Sequence, residues 1–119
     1  MSASKLAALL ALSLALSVLL GAFAAHALQG QLSAAALTQW QTGVRYQTWQ
    51  TLGLLACLAL PACDQRLSLW ILAGSLMFSA SLYALALGAP RACGLITPVG
   101  GTMMLSGWLL LARRLWQAS

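Results

Sequence analysis

The chain has 119 residues, of which 61% are hydrophobic and only 6% are charged. In soluble domains about a quarter of the residues are charged, and a domain of this size buries only about 60–70% of its surface. The composition therefore excludes an ordinary water-soluble domain and indicates a protein that crosses a membrane several times. The net charge is +5, but the basic residues are spread along the chain and do not form the clustered face of a nucleic-acid-binding domain. We therefore expect the lipid bilayer, and no nucleic acid, as a partner.

Four apolar segments approach the length that crosses the hydrocarbon core of a bilayer, which is about 20 residues and at least roughly 17. They are residues 6–28, 46–62, 67–87 and 95–112. The connections after the second and third segments are short, so the helices they join should be antiparallel neighbours. The sequence thus predicts an all-α membrane protein with a single transmembrane domain over residues 1–119. Its expected architecture is an antiparallel four-helix bundle with a helical extension before span two.

Span one begins after Lys5 and has two interpretations. A secretory signal peptide is one of them, because Lys5 supplies a charged start and Ala25-His26-Ala27 resembles a cleavage site. The apolar run is longer than the roughly 7–15 residues of a signal core, which favours a retained helix. Small residues recur at every fourth position, and this spacing predicts a face that a neighbouring helix approaches closely. These residues are Ser13, Ser17, Gly21 and Ala25.

Residues 29–45 are more polar than the apolar runs on either side. Gly30 suits the end of span one, and Ser33 suits the N-cap of the next helix. We expect this helix to begin in the headgroup region and to continue into span two, with Gly43 as a bend. Polar side chains in the first turns of span two are costly in lipid unless they are hydrogen-bonded, so they should face other helices or the water boundary. They are Gln47, Thr48, Gln50 and Thr51.

Turn residues delimit spans three and four. Pro61 should end span two, and Asp64, the single acidic residue, should cap the turn before span three. The stretch 88–90, Gly-Ala-Pro, should break span three. Pro98 fits the first turn of span four, where its missing N–H is not needed. Two glycines that follow it, Gly100 and Gly101, should permit close helix contact.

The basic residues predict the orientation, because Lys and Arg favour the cytoplasmic side of a membrane. With four spans, four basic residues lie on one side and two on the other. The four are Lys5, Arg66, Arg113 and Arg114, and the two are Arg45 and Arg91. This excess predicts that the N-terminus and the C-terminus are both cytoplasmic.

Four ordered motifs cover most of the chain: Gly21–Leu28 (GAFAAHAL), Trp40–Tyr46 (WQTGVRY), Phe78–Tyr83 (FSASLY) and Gly94–Gly101 (GLITPVGG). Together they resemble the YgdD-like family of small bacterial inner-membrane proteins of unknown function. That family usually has glycine where this chain has Ala24, and often has a further histidine where it has Trp49 or Gln50. The resemblance implies four spans in the inner membrane and no established activity.

The single histidine, His26, marks a candidate site, because an ionisable group at membrane depth is a functional hypothesis by default. The predicted spans bring it to the outer face together with other polar side chains. The predicted cluster is His26, Gln41, Arg45, Tyr83 and Thr97. Two roles remain open for it, a hydrogen-bonded lid that stabilises the bundle or a binding site for a ligand or a proton.

The inventory of side chains disfavours catalysis. Carboxylate-pair chemistry needs two acids and the chain has one. A Ser–His–Asp triad is disfavoured because the predicted position of Asp64 is across the membrane from His26. Zinc or haem would need more ligands than one histidine and three scattered cysteines supply, and the cysteines lack C-x-x-C spacing. We therefore expect no enzymatic activity and no cofactor.

Two functions remain. The first is a structural or partner-binding membrane subunit, whose small-residue faces pack with a second copy or with another membrane protein. The alternative is a carrier or channel for a small solute or a lipid, which would work as an oligomer. No charged residue lies in the middle of any predicted span, which argues against a proton-coupled carboxylate mechanism.

Overall fold

The computed structural model describes residues 1–119, which fold into helices and no strands, with one isolated β-bridge between Gln29 and Leu32. Helix α1 is Ala3–Phe23 and continues into a π-helical turn, Ala24–Leu28. Helix α2 is Ala34–Ala56, and helix α3 is Gln65–Ala86. Helix α4 is Ile96–Ala118 and follows a 3-10 turn, Arg91–Leu95.

Side-chain caps start three of the four helices. The side chain of Ser2 accepts from the N–H of Lys5 and starts α1. Ser33 accepts from the N–H of Ala36, as predicted for the start of α2. Asp64 accepts from the N–H of Leu67, so it also caps a helix as predicted. These caps satisfy N–H groups that have no partner inside the helix.

Two glycines with positive φ provide the chain reversals at one end of the molecule. Gly30 has a φ of 89° and follows the π-helical turn, and Gly88 has a φ of 96° and follows α3. Residues with a Cβ rarely adopt this left-handed conformation, so glycine is the residue that fits. Gly30 and Gly88 therefore end the helices of spans one and three, as predicted, by adopting a left-handed backbone conformation.

Three helical segments are long and apolar enough to cross a membrane: Ala3–Leu28, Gln65–Ala86 and Arg91–Ala118. Helix α2 is not among them, because its N-terminal half is polar. The predicted span 46–62 also needs correction. The helix runs from Ala34 to Ala56 without interruption at Gly43, and residues 57–62 lie beyond it. Its 23 residues already extend over about 35 Å, so the apolar run that follows is not needed to lengthen it.

Successive helices pack side by side in opposite directions. Between α1 and α2, Leu20 meets Trp40 and Ser13 meets Thr51, so the residue number falls in one helix as it rises in the other. Between α3 and α4 the same reversal is given by contacts of Ser81 with Thr97 and of Trp70 with Ser106. A core cluster joins all four helices at one end and includes Leu10, Leu54, Ile71 and Leu111.

Glycines bring α3 into direct contact with both of its neighbours. A Cβ at Gly43 would lie 2.7 Å from the ring of Tyr83, and a Cβ at Gly100 would lie 2.5 Å from the carbonyl oxygen of Gly74. Such distances are far below van der Waals contact, so these positions accept only hydrogen. The backbones of α3 and α4 therefore touch at Gly74 and Gly100. A Cβ at Gly107 would likewise collide with the side chain of Ile71.

Some, but not all, of the small residues predicted to face a neighbouring helix do so. Ser13 and Ser17 are buried, and a Cβ at Gly21 would be in ordinary contact with Val44. Ala25 is exposed, and Ala24 is buried in its place. Residues four apart on an α-helix are offset by about 40°, so a strict period of four turns away from the neighbouring helix.

Of the two glycines of α4 that were predicted to permit close helix contact, only one lies against the backbone of α3. Gly100 is buried against α3. A Cβ at Gly101 would lie 3.7 Å from the ring of Phe78, which is an ordinary contact distance.

Candidate functional site

A buried polar network lies between α1, α2 and α3 and centres on Gln47, which is 1% exposed. The amide nitrogen of Gln47 donates to the carbonyl oxygen of Ser13 at 2.9 Å. The hydroxyl of Tyr83 donates to the amide oxygen of Gln47 at 2.8 Å. One side chain of α2 thus connects the helices on both of its sides. We call the residues of this region the Gln47 network; its members are Ser13, Gln47, Thr51, Ser79 and Tyr83.

The other members extend the network along α2. The hydroxyls of Ser13 and Thr51 are 2.9 Å apart, and the hydroxyl of Ser79 donates to the carbonyl oxygen of Gly43 at 2.7 Å. Nearby, the indole N–H of Trp40 donates to the carbonyl oxygen of Leu20 at 2.9 Å, and its ring centroid lies 4.7 Å from that of Tyr83. Each polar group has found a partner inside the protein, which removes the cost of burying it.

The chemistry available to this network is hydrogen bonding. Gln47 can donate and accept at once, and the hydroxyls can do the same. A proton-transfer site would need an acid–base pair in reach of one another, and the network holds amide and hydroxyl groups. Ser75 is also fully buried, and its hydroxyl has no hydrogen-bond partner. The arrangement therefore fixes the relative positions of three helices.

The five residues of the predicted outer cluster are not bonded to one another in the structure. Tyr83 is half-buried in the Gln47 network, and Thr97 lies at the start of α4 with its hydroxyl 2.5 Å from that of Ser81. His26, Gln41 and Arg45 are exposed and make no side-chain hydrogen bond within the chain. His26 lies in the π-helical turn and forms no hydrogen bond with Tyr83 or Gln41. The five residues therefore do not form one hydrogen-bonded lid.

Arg45 occupies a different position along its helix from the one predicted. It is the middle residue of α2, whereas the predicted span placed it near the outer end. Its neighbour Gly43 accepts from Ser79, seven residues before the end of α3, which is a distance of about 10 Å along that helix. Arg45 would therefore lie in the middle of a span if α2 crosses the membrane, contrary to the prediction that no span has a charged residue in its middle.

The opposite end of the molecule carries the one ion pair. Nη1 of Arg114 lies 3.5 Å from Oδ1 of Asp64 and donates to the carbonyl oxygen of Ala62 at 3.0 Å. The backbone N–H of Leu67, followed by Arg114 and Arg66, lowers the pKa of Asp64 from its ordinary value. Arg114 thus ties the end of α4 to the loop between α2 and α3.

The cysteines are less scattered than the sequence indicated. Cys63 is buried in the core cluster that joins the four helices and Cys57 packs against this cluster, while Sγ of Cys63 lies 3.4 Å from the hydroxyl of Ser68. All three cysteines are free. Cys93 lies in the turn before α4. The pair was missed because its spacing of six residues matches no known thiol motif.

Sequence reasoning identified Gln47 as a side chain that must avoid lipid, but it did not identify its partners. The signal was an amide within an apolar run. Which residues of α1 and α3 it reaches depends on the register between helices, and no local pattern encodes that register. The close contacts at Gly43, Gly74 and Gly107 were missed for the same reason.

Comparison with known proteins gives a consistent family assignment. The family model described as "Protein of unknown function (DUF423)" matches residues 20–101. A UPF0382 membrane protein of Haemophilus influenzae is 44% identical over 114 residues, which cover 92% of this chain and 91% of the relative. The UPF0382 inner membrane protein YgdD of Escherichia coli K12 is 40% identical over 101 residues, or 79% of this chain and 76% of the relative.

A relative from a different bacterial group shows the same similarity. The UPF0382 membrane protein SSP2132 of Staphylococcus saprophyticus is 40% identical over 105 residues, which cover 85% of this chain and 88% of the relative. No solved structure matches the chain. The resemblance to the YgdD-like family is therefore confirmed, and the chain belongs to the membrane-protein family of unknown function that is designated DUF423.

Proposed function

We propose that this protein is a four-span antiparallel bundle of the bacterial inner membrane that acts as a partner-binding subunit and not as an enzyme. The observation that carries the proposal is the exposed face of α2. This face presents Arg45 and two uncharged polar side chains, Thr38 and Gln41, whereas the exposed side of α1 presents apolar residues such as Val18 and Leu19. Another membrane protein that covers this face would remove that mismatch.

Support for α2 as a fourth span comes from its buried side. Its length of about 35 Å is sufficient for a bilayer. Its most polar buried side chains, Gln47 and Thr51, are hydrogen-bonded to α1 and α3. A segment that is too polar to cross alone can cross when neighbouring helices satisfy its polar groups. The apolar flanking helices supply that environment.

The exposed side of α2 is the part that remains unsatisfied. A charged side chain at the centre of a transmembrane helix costs about 2.5–3.5 kcal/mol on insertion scales, and such residues usually face a protein partner or a water-filled cavity. Arg45 is at the centre of α2 and has no acidic partner in the chain, because Asp64 is paired at the other end. We call this surface the α2 face. Its exposed residues are Thr38, Gln41, Arg45, Trp49 and Leu52.

The charge of the α2 face specifies the partner. In a symmetric dimer through this face, two copies of Arg45 would approach each other without a counter-charge, which disfavours association. A different membrane protein with a carboxylate on a transmembrane helix would complement Arg45, and Arg binds carboxylates through paired hydrogen bonds. The proposed partner is therefore a membrane protein that presents an aspartate or a glutamate to α2.

Site-specific photo-cross-linking in intact cells tests the proposal. A photoreactive residue is placed at Trp49 on α2, or at Leu105 on α4 as a matched control, because these side chains are 57% and 61% exposed. We expect one protein adduct of defined mass from position 49 and none from position 105. Arg45→Glu should abolish the adduct, and replacing the partner's carboxylate by arginine should restore it.

Other outcomes would contradict the proposal. Adducts with lipid alone at both positions would show that no protein covers the α2 face. An adduct with a second copy of the chain would replace the separate partner by a homo-oligomer. Solute flux into liposomes that contain this protein alone would favour the carrier or channel that the sequence left as the alternative.

A further inference from the structure

A polar cavity of about 420 Å³ opens between the start of α3 and the second half of α4. It lies at the end of the molecule where Arg114 pairs with Asp64. Two arginines and one aspartate line it, so its formal charge is +2 − 1 = +1. The remaining lining is aromatic, aliphatic or small. The full set is Asp64, Arg66, Leu67, Trp70, Ser106, Gly107, Leu110 and Arg114.

Both arginines of the cavity have guanidinium N–H donors that are not used within the chain. A guanidinium carries five N–H donors, and Arg114 uses Nη1 for the carbonyl oxygen of Ala62 and for Asp64. Arg66 is exposed and makes no side-chain hydrogen bond within the chain. Oδ1 of Asp64 is engaged by the N–H of Leu67 as well as by Arg114. The carboxylate is therefore compensated, and the unused donors favour an anion.

A second cavity, which is mainly apolar, adjoins the polar cavity at Trp70 and forms an apolar groove. Trp70 lines the polar cavity and also a second cavity of about 400 Å³ between α3 and α4. The indole N–H of Trp70 donates to the hydroxyl of Ser106 at 3.0 Å, which holds the ring between the two cavities. The hydroxyl of Thr102 donates to the carbonyl oxygen of Pro98, so its methyl group is left for the groove. The second cavity is lined by Trp70, Pro98, Val99, Thr102 and Met103.

The distance from Arg114 to the near part of the second cavity matches one leaflet of a bilayer. Eleven residues of α4 separate Arg114 from Met103, a rise of about 16 Å. Half of a hydrocarbon core is about 15 Å thick. A charged group at the Arg114 end and an acyl chain that reaches Met103 would therefore both fit on the same side of the membrane.

We propose that this groove binds one anionic glycerophospholipid, with its phosphate at Arg66 and Arg114 and one acyl chain along Trp70 and Met103. Basic pockets between transmembrane helices bind anionic headgroups by the same combination of charge and shape. The juxtaposition of a +1 polar cavity with an apolar groove distinguishes a lipid from a free phosphate ion. The site is separate from the α2 face, so neither proposal depends on the other.

Native mass spectrometry of the full chain released from mild detergent tests the site. Phosphatidylglycerol, phosphatidylcholine and glycerol 3-phosphate are added separately at equal concentration. We expect one phosphatidylglycerol to be retained and phosphatidylcholine to bind more weakly by about fivefold, the effect of one favourable charge near a membrane surface. Glycerol 3-phosphate should not be retained. If it binds as tightly as the lipid, the acyl groove plays no part and the assignment fails.

Paired variants assign the lipid to the groove. Arg66→Gln should weaken phosphatidylglycerol binding by about fivefold, whereas Arg113→Gln should leave it unchanged, because Arg113 is exposed but does not line the cavity. Thr102→Trp should weaken binding by filling the apolar groove, and Leu105→Trp on the exposed surface should not. Equal effects within either pair, or equal binding of the two phospholipids, would overturn the proposal.

Discussion

Gln47 makes the strongest residue-scale prediction, because it is buried and bonded on both sides. Gln47→Leu keeps much of the volume but leaves the Tyr83 hydroxyl and the Ser13 carbonyl oxygen without their partners. A buried polar group that loses its partner costs about 1–3 kcal/mol. We expect a corresponding fall in thermal stability in detergent. Gln41→Leu is the matched control, since Gln41 is exposed and unbonded, and it should change stability little.

A second substitution separates lost hydrogen bonds from altered packing. Tyr83→Phe removes the donor that Gln47→Leu leaves unpaired. The double variant should therefore be more stable than the sum of the two single effects predicts, because neighbours in one network are not additive. Strict additivity, measured by the same thermal unfolding, would show that the Tyr83–Gln47 bond contributes nothing.

Asp64 makes a prediction about acid stability, because it is the single acidic side chain of the protein. Its pKa is lowered in the folded state, chiefly by the N–H of Leu67 and then by Arg114. The stabilisation is therefore complete above the pKa of the unfolded chain, about 3.9, and is lost as the pH falls through the lower folded pKa. Thermal unfolding between pH 6 and 2, about the range over which carboxylates titrate, should show this loss.

Asp64→Asn is the control for the acid prediction. Asparagine is also a good N-cap, so the variant keeps an acceptor for the N–H of Leu67 but has no carboxylate to titrate. Its stability should vary less over the same pH range. If the wild type and the variant lose stability in parallel, the C-terminal carboxylate or the detergent is responsible and Asp64 is not.

Individual residues were predictable from sequence where their role is local. Ser33 and Asp64 were expected to cap helices, and both do so. A cap depends on the next three residues, so the sequence contains all that is needed. His26 and Arg45 were expected to meet at one face, which depends on how far each helix extends and how it is rotated. Because α2 ends at Ala56 and not at residue 62, Arg45 is the middle residue of its helix.

At the scale of helices, the contact between α3 and α4 rests on one backbone position. A Cβ at Gly100 would lie 2.5 Å from the carbonyl oxygen of Gly74 and 2.6 Å from the backbone N of Phe78, and neither atom can move aside. Gly100→Ala should therefore separate the helices and destabilise the protein by about 1–3 kcal/mol. Gly101→Ala, one residue away, would meet the Phe78 ring at 3.7 Å and should be tolerated. Chemical denaturation of both variants measures the difference.

The sequence predicted the existence of the helices better than their ends. Long apolar runs indicated α1, α3 and α4, and the structure gives helices there. The end of α2 was missed because residues 57–62 continue the apolar run, although the chain turns at Cys57. Part of this apolar stretch packs against the core cluster through Cys57 and Ala62, whereas Leu58 and Leu60 are exposed. An apolar run therefore does not by itself distinguish a helix from a turn.

At the scale of the whole molecule, the distribution of basic residues predicts the orientation in the membrane. Lys5, Arg66, Arg113 and Arg114 lie near the ends of α1, α3 and α4 that meet at one end of the bundle. We expect this end to face the cytoplasm. A reporter fused after Ser119 should give a cytoplasmic signal, and a reporter inserted near Gln31 should give an external one.

The orientation also tests α2 as a span. If α2 lay on the surface, three spans would remain and the two termini would be on opposite sides. A periplasmic signal at Ser119 combined with a cytoplasmic N-terminus would support three spans and would contradict the four-span proposal. The two reporters therefore distinguish an inverted bundle from a bundle with one span fewer.

The bonds that join α2 to α1 have a consequence for biosynthesis. If α2 is a span as we propose, it is the one that lacks the apolarity to leave the translocation channel unaided. Trp40, Gln47 and Thr51 each bond to α1, which the ribosome has already completed when α2 emerges. The first helix then serves as an internal chaperone for the second, and the two enter the lipid as a hairpin. Chain order, with the apolar helix made first, is therefore part of what allows so polar a segment to be inserted.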